Sequence, residues 1–136
     1  MIKKNKFQIG KDLEVEKFIY GITEEIWENK KINSIYDYYK KDVIVRSPRS
    51  TTYKCNDVIN STKDTLSQFP NRQLIGEDVI WSGDHRDGIL SSHRILSTAT
   101  HKGNGFFGKS TGKKIIYRVI ADCFIKDNVI VEEWIV

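Results

Sequence analysis

The apolar residues in the first half of the chain recur mostly at the spacing of an α-helix. Positions 15, 18, 19, 22 and 26 are valine, isoleucine or phenylalanine, with charged and polar residues between most of them. This period places them on one face of a helix. The pattern predicts three helices, over residues 12–29, 33–40 and 56–69, with Asn33 able to cap the second. A β-branched run predicts one short strand before the third helix, over residues 42–46.

The second half of the chain has the composition and alternation of β-strands. The predicted strands cover residues 73–82, 89–101, 115–126 and 129–136. Asp127 and Asn128 both tolerate positive φ, so together they predict a two-residue hairpin turn. Helices followed by strands are typical of an α+β domain with an antiparallel sheet, and the length of 136 residues predicts one domain over residues 1–136. Because the last strand has no ending signal, we expect that residues of a site could also follow Val136.

The predicted hairpin turn sets which side chains share a face of the sheet. It places Asp122 opposite Glu133, on one face with Arg118, Phe124 and Ile135. An acid among apolar neighbours is unusual on a surface, and of two adjacent buried carboxyls one keeps its proton near neutral pH. Such an acid can donate a hydrogen bond to a carbonyl oxygen and stabilise an enolate. The alternative is structural: Asp122 pairs with Arg118 or caps a turn.

Three further polar or aromatic residues are candidates for a pocket. His93 and Arg94 are neighbours in a predicted strand and therefore point to opposite faces, so either could orient a ligand. A strand histidine is also common as a hydrogen-bonded core residue. Trp81 is a candidate for the pocket wall and, equally, for the core.

The net charge of +4 and the isoelectric point of about 9.0 raise the question of nucleic-acid binding. The lysines come mostly as scattered pairs near predicted element ends, and no nucleic-acid-binding motif accompanies them. We therefore predict no nucleic-acid partner. No apolar run reaches the roughly 18 residues of a membrane helix, and the charged first residues are not followed by the apolar stretch of a secretory signal. The expectation is a cytoplasmic protein without a membrane partner.

Cys55 and Cys123 have no spacing that makes a zinc site, and in a cytoplasmic chain they are expected to be free thiols. No metal and no cofactor are predicted. The glycine-rich stretch over residues 103–110 matches the phosphate-binding pattern G-x-x-x-x-G-K-[ST]. That chemistry needs a helix directly after the loop, whereas Gly112 and a β-branched run follow here. The stretch is interpreted as a hairpin connection, with nucleotide binding as a remote alternative.

The element order resembles the nuclear transport factor 2-like superfamily over nearly the whole chain. Three segments are similar to the SnoaL-like polyketide or ester cyclase group within it, namely residues 100–103, 108–113 and 127–134. Members of that group commonly show His-x-Gly, then Thr-Gly-Lys or Thr-Gly-Arg, then Asp-Gly-Lys-Ile-x-Glu-His-Trp. The resemblance implies a cone of curved antiparallel sheet, packed with three N-terminal helices around a cavity. It also implies a homodimer formed through the exposed sheet face.

The departures from the family pattern concern the catalytic bases. The cyclases carry an aspartate directly after the tryptophan, where this chain has Ile135. The related ketosteroid isomerases carry a base just before a proline, where this chain has Ser47, while their oxyanion-hole aspartate matches Asp122. Glu133 replaces the histidine of the cyclase motif and is a candidate base.

These observations lead to one leading hypothesis and two alternatives. The leading one is a cavity that binds a small, largely apolar molecule and acts as a cofactor-independent cyclase or isomerase of a carbonyl compound. Its catalytic candidates are Asp122, Glu133 and His93, and its substrate-binding candidates are Arg94, Trp81, Arg118, Phe124 and Ile135. The alternatives are a ligand-binding domain without catalysis and a protein-interaction module whose cavity is filled by large side chains.

Overall fold

The fold is known from a computed structural model, which describes residues 6–9 and 12–136. The helical elements are α1 (Val15–Ile22), continued by a π-helical segment (Thr23–Glu28), a 3₁₀ turn (Ile32–Ser34), α2 (Ile35–Tyr38) and α3 (Cys55–Gln68). The strands are β1 (Gln8–Ile9), β2 (Asp12–Leu13), β3 (Tyr39–Arg46), β4 (Thr51–Thr52), β5 (Gln73–Asp84), β6 (Gly88–Thr100), β7 (Lys114–Lys126) and β8 (Val129–Ile135).

Six of these strands form one curved, open sheet in the order β4-β3-β8-β7-β6-β5. Adjacent strands in this sheet run antiparallel, except that β3 and β8 run parallel. The predicted α+β class with three helices before a long-stranded sheet is confirmed. The parallel pair was not predicted, because β3 and β8 are separated in the chain by α3 and by the other four strands of the sheet.

The helices are bound to the concave side of the sheet by an apolar core. Its fully buried members include Phe18 and Ile26 from the first helix, Ile35 from α2, and Val43 and Ile130 from the paired strands. Phe18 and Ile26 are among the positions that the 3.6-residue period of the sequence selects. The amphipathic pattern therefore explains how the first helix packs against the sheet. What the helices leave uncovered is the middle of the concave face, where the cavity lies.

The second predicted helix is the element with the largest error. The pattern predicts helix through residue 40, but Tyr39 already begins β3, and Asn33 lies inside the 3₁₀ turn rather than at a cap. The tertiary structure overrides the local preference, because Tyr39 is buried and its hydroxyl donates a hydrogen bond to Glu133. The predicted turn at Asp127 and Asn128 is confirmed, with φ of 53° and 64°.

A β-bulge at Val131 changes the register of the last hairpin. Ile125 pairs with Ile130, but Phe124 pairs with Glu132, so Val131 is an extra residue in β8. One inserted residue exchanges the faces of every side chain beyond it. The predicted Asp122–Glu133 pair is therefore wrong: Glu133 pairs with Cys123, and Asp122 pairs with Trp134.

Candidate functional site

A cavity of about 610 Å³ lies between the concave face of the sheet, the first helix and α3. Its lining is mostly apolar, with aliphatic side chains from β6, β7 and β8 and aromatic side chains from Trp27, Tyr39, Phe69 and Tyr117. This volume falls in the range of sites that enclose small organic ligands, which are likewise apolar with a few polar groups. The cavity has two polar ends, an inner one around Glu133 and a rim around two arginines.

The inner end is built around the buried carboxyl of Glu133. The Tyr39 hydroxyl donates a hydrogen bond of 3.0 Å to Glu133 Oε2, and the thiol of Cys123 is a second partner of the carboxyl. Burial raises the pKa of Glu133 to about 7, while the hydrogen bonds from Tyr39 and Cys123 act in the opposite direction. A carboxyl with this pKa exchanges its proton near neutral pH, as a general acid or base must.

The sequence places Glu133 here through its two neighbouring strands. Val45 of β3 and Cys123 of β7 flank it in the sheet. Burial raises the pKa values of Tyr39 and Cys123 well above their ordinary values, and the Glu133 charge adds to both shifts. Both groups therefore stay protonated and act as hydrogen-bond donors to the carboxylate.

His93 projects into the same cavity from β6. It is buried, its ring meets Tyr20 edge-on at 5.2 Å, and its Nε2 has no hydrogen-bond partner within the described part of the chain. Burial lowers the pKa of His93, so the imidazole is neutral at neutral pH. His93 pairs with Ala121, two positions along β7 from Cys123, which puts it roughly 12 Å from Glu133 at backbone level. A ligand can lie between the two side chains.

The rim of the cavity lies at the other end of the sheet and carries Arg49, Arg72, Phe106 and Phe107. The Arg49 guanidinium lies 5.3 Å from the centre of the Phe106 ring and forms a 2.5 Å ion pair with Asp64. Phe107 contacts Phe69 edge-on at 5.5 Å. The two exposed phenylalanines come from the glycine-rich connection, so this loop forms part of the cavity entrance.

The glycine-rich stretch connects two antiparallel strands, and no helix follows it. Its shape is set by the buried Gln68, whose side-chain oxygen accepts a hydrogen bond from the backbone N–H of Phe107. A Cβ atom at Gly105 would overlap the Gln68 amide. Glycine at this position is therefore explained by close packing onto the end of α3 rather than by a phosphate.

The predicted site residues divide between the two faces of the sheet. Glu133, His93 and Ile135 lie in the cavity wall. Asp122 and Phe124 lie on the outer face, because the bulge moves Glu133 and Ile135 away from them. The Asp122 assignment to the pocket is thus corrected, although its Oδ1 is buried without a hydrogen-bond partner in the described part of the chain.

The remaining predicted binding residues also need correction. Arg94 lies on the outer face, where its guanidinium pairs with Asp78 at 2.7 Å. Arg118 borders the cavity, but its guanidinium binds the Glu77 carboxylate at 2.8 and 3.2 Å. Trp81 is half exposed and does not line the cavity.

Sequence reasoning missed Tyr39, Cys123, Arg49 and Arg72 as site residues. The sequence pattern predicts that Tyr39 lies in a helix. The predicted hairpin register puts Cys123 on the face of the sheet opposite to Glu133, because it is next to Asp122 in the strand. Arg49 follows Pro48 in a loop, where an arginine gives no periodic signal. The one usable signal was Trp27, an aromatic residue on the apolar side of the first helix, which lines the cavity at 6.4 Å from the Tyr39 ring.

Among the residues that the structure describes, no group of three histidine, cysteine or acidic side chains is arranged to hold a metal ion. Within the same residues, no helix has the length and hydropathy needed to cross a membrane. The ionisable side chains of the cavity wall include Glu133, Tyr39, His93 and the rim arginines.

The fold defined by this sheet and cavity is shared with several solved structures. A putative SnoaL-like polyketide cyclase from a Jannaschia species has a TM-score of 0.80 at 9% identity, covering 97% of this chain and 90% of that chain. A SnoaL-like polyketide cyclase from Agrobacterium tumefaciens has a TM-score of 0.74 at 9% identity, covering 90% and 89%. AclR, a putative hydroxylase from Streptomyces galilaeus, has a TM-score of 0.73 at 20% identity, covering 90% and 74%.

The chain thus has the nuclear transport factor 2-like fold of the SnoaL-like polyketide cyclases. No protein-family model and no curated protein matches the sequence. Identities this low establish the shared fold alone, so the activity has to be argued from the residues of the cavity.

Proposed function

We propose that the cavity binds a small, largely apolar carbonyl compound and that Glu133 exchanges a proton with it, without a cofactor. The observation that carries this proposal is a buried carboxyl with a pKa of about 7 in an otherwise apolar cavity. Strongly perturbed carboxyls in clefts are frequent at catalytic sites. The cyclase names of the fold neighbours agree with this class of reaction.

The proposed chemistry begins with Glu133 as carboxylate. It removes a proton from the carbon next to the substrate carbonyl, and the C–H electron pair moves into an enolate. The neutral imidazole of His93, which lies in the cavity wall, is the proposed hydrogen-bond donor to the developing enolate oxygen. In an isomerase, Glu133 returns the proton to another carbon. In a cyclase, the enolate carbon attacks a second carbonyl of the same substrate, and the new alkoxide takes the proton.

The decisive experiment compares variants of Glu133 and Asp122, the two acidic residues that the sequence analysis names as catalytic candidates. Glu133→Gln should abolish turnover of an enolisable aromatic ketone while the fold is retained, because the amide cannot accept the proton. Asp122→Asn is the matched control on the outer face and should leave turnover unchanged. Substrate binding is measured by thermal shift and turnover by chromatography. Equal losses in both variants, or none in either, would contradict the assignment of Glu133.

Ligand binding without catalysis is the second candidate function. It is favoured because Ser47 and Ile135 occupy the two positions where related enzymes carry their catalytic bases, and both residues line the cavity. Ligands that raise the melting temperature of the protein but are recovered unchanged would support it. The protein-interaction alternative would be favoured by a cone filled with large side chains such as Trp27, Trp81 and Phe124. Only Trp27 is in the cavity wall, and about 610 Å³ stays open, so this alternative loses its main support.

A homodimer through the outer face of the sheet is also part of the proposal. Ile80 and Leu90 lie diagonally across from each other on this face and are 72% and 47% exposed, and Ile116, further along β7, is 75% exposed. Neighbouring exposed apolar side chains such as Ile80 and Leu90 favour burial in an interface. Light scattering after size-exclusion chromatography should give twice the chain mass of 15.8 kDa. Ile116→Glu should give the single chain mass, and a wild type of single chain mass would contradict the dimer.

A further inference from the structure

Two arginines, Arg49 and Arg72, line the rim of the cavity. Arg72 directly precedes β5, and the Arg49 loop follows β3 in the direction of the same edge. Gln73 pairs with Thr98, which pairs with Ile116, whereas Glu133 pairs with Cys123. Seven residues of β7, about 24 Å of extended strand, separate the start of β5 beside Arg72 from the level of Glu133. Arg49 is nearer to that level, because it follows Arg46, the partner of Trp134, by three residues. The cavity therefore joins a cationic rim to a proton-exchanging inner end.

Both arginines have unused hydrogen-bond donors. Nε of Arg72 and Nη1 of Arg49 are buried, and neither finds an acceptor within the described residues. Arg49 is positioned by Asp64 and by the Phe106 ring, so its free nitrogen is held in place. A buried donor without a partner costs free energy, and the cost is recovered when an acceptor binds. The unused donors therefore indicate where a ligand supplies acceptors.

The charges along the cavity favour an anionic acceptor. Glu133 is the sole acidic side chain among the described lining residues, and it is at the inner end. His93 is kept neutral by burial. Asp64 balances Arg49, and the Arg118 guanidinium is bound by Glu77 outside. Arg72 therefore contributes an uncompensated positive charge to the rim, where the surrounding apolar surface strengthens its field.

We infer that the natural ligand is a carboxylic acid, with its carboxylate bound by Arg72 and Arg49 and its apolar body extending toward Glu133. A carboxylate is planar and has two acceptor oxygens, which match the fork of a guanidinium. Phe106 and Phe107 cover the apolar part next to the charged group. This inference rests on the proposed function, because it names the substrate class of the same cavity.

Pyrenebutyric acid and its primary amide test this inference, because they share one fluorescent apolar body and differ in the charged group. Their dissociation constants are measured by fluorescence titration on the wild type and on Arg72→Gln, Arg49→Gln and Arg86→Gln. Arg86 is the matched control, since its side chain is 81% exposed in the β5–β6 turn. Circular dichroism establishes that each variant is folded, and Arg72→Lys replaces Arg72→Gln if the latter unfolds.

The acid should bind wild type at least about tenfold more tightly than the amide, the size expected of a charge-assisted hydrogen bond. Arg72→Gln should remove this preference, Arg49→Gln should reduce it, and Arg86→Gln should keep it. Arg72→Lys, with its charge but no fork, should retain part of it. Equal affinities of acid and amide for wild type would overturn the carboxylate inference and leave the cavity proposal intact. Failure of both probes to bind would count against the cavity proposal and, with it, this inference.

Discussion

The Tyr39 hydroxyl and the Glu133 carboxylate meet at 3.0 Å inside the cavity, where β3 and β8 run parallel. The hydrogen bond favours the charged form of the acid, and burial favours the neutral form. Because burial has the larger effect, the pKa of Glu133 rises to about 7 instead of falling. The balance between these two effects places the proton exchange of this buried acid near physiological pH.

The stability of the protein should fall as pH rises from about 5 to 8. The folded pKa of Glu133 is about 7, against an ordinary value of 4.5, so between these values the folded state binds more protons than the unfolded state. Its contribution is complete below the lower value and is lost as pH passes the higher one, by about 3 kcal/mol at most. Urea unfolding at several pH values measures the change.

Glu133→Gln is the comparison that isolates this effect. The pKa of His93 is lowered in the folded state, so His93 contributes a slope of opposite sign below its ordinary value of 6.5. In Glu133→Gln the pH dependence of stability that comes from His93 is kept. The variant should lose only the decrease in the free energy of unfolding toward high pH. It should also be more stable than wild type at pH 8. Parallel pH profiles of the two proteins would mean that Glu133 does not titrate as described.

Removing the Tyr39 hydroxyl should raise the pKa of Glu133 above about 7. The hydrogen bond that lowers this pKa is lost in Tyr39→Phe, while burial is unchanged. The expected rise is on the order of one unit, since the bond is worth about 1 kcal/mol or more. Carbon NMR of labelled glutamate follows the titration. Tyr36→Phe is a control, because the Tyr36 hydroxyl bonds Asn56 far from this acid. An unchanged pKa in Tyr39→Phe would contradict the role of the hydroxyl.

Filling the middle of the cavity should block binding without unfolding the protein. Ala121 lies in the cavity wall between His93 and Ile135, its partners in the sheet. Ala121→Phe places a ring in open space and should weaken pyrenebutyric acid binding by at least about tenfold. Ser82→Phe, at an exposed position of β5, is the size-matched control. Undiminished binding in Ala121→Phe would place the ligand elsewhere.

Gly105→Ala should destabilise the glycine-rich connection, because the new methyl group overlaps the Gln68 amide. The expected loss is about 1–3 kcal/mol in the free energy of unfolding, which is typical of overpacking. Lys109→Ala, the lysine of the phosphate-binding pattern, is exposed and should have no effect on stability. Adding Mg-ATP should shift the melting temperature of neither variant nor wild type. A nucleotide shift that Lys109→Ala abolishes would restore the phosphate-binding interpretation.

Most of the fold could be predicted because its signals are local. The helical periods that predict α1 and α3 and the Asp127–Asn128 turn each depend on neighbouring residues, and they agree with the structure. The site could not be predicted to the same extent, because it depends on register. Val131 is an ordinary β-branched residue, and nothing next to it in the sequence indicates that it forms a bulge. That one residue decided that Glu133 lies in the cavity and Asp122 outside it.

The parallel pairing of β3 with β8 has a consequence for the order of folding. Tyr39 and Glu133 are 94 positions apart, so their contact has one of the longest loop closures that this chain can make. Local helices and hairpins form much faster than contacts of such separation. An intermediate with its helices and its β5–β6–β7 meander in place would therefore have an open cavity without the Tyr39–Glu133 bond. The environment that places the proton exchange of Glu133 near neutral pH therefore depends on the long-range pairing of β3 with β8.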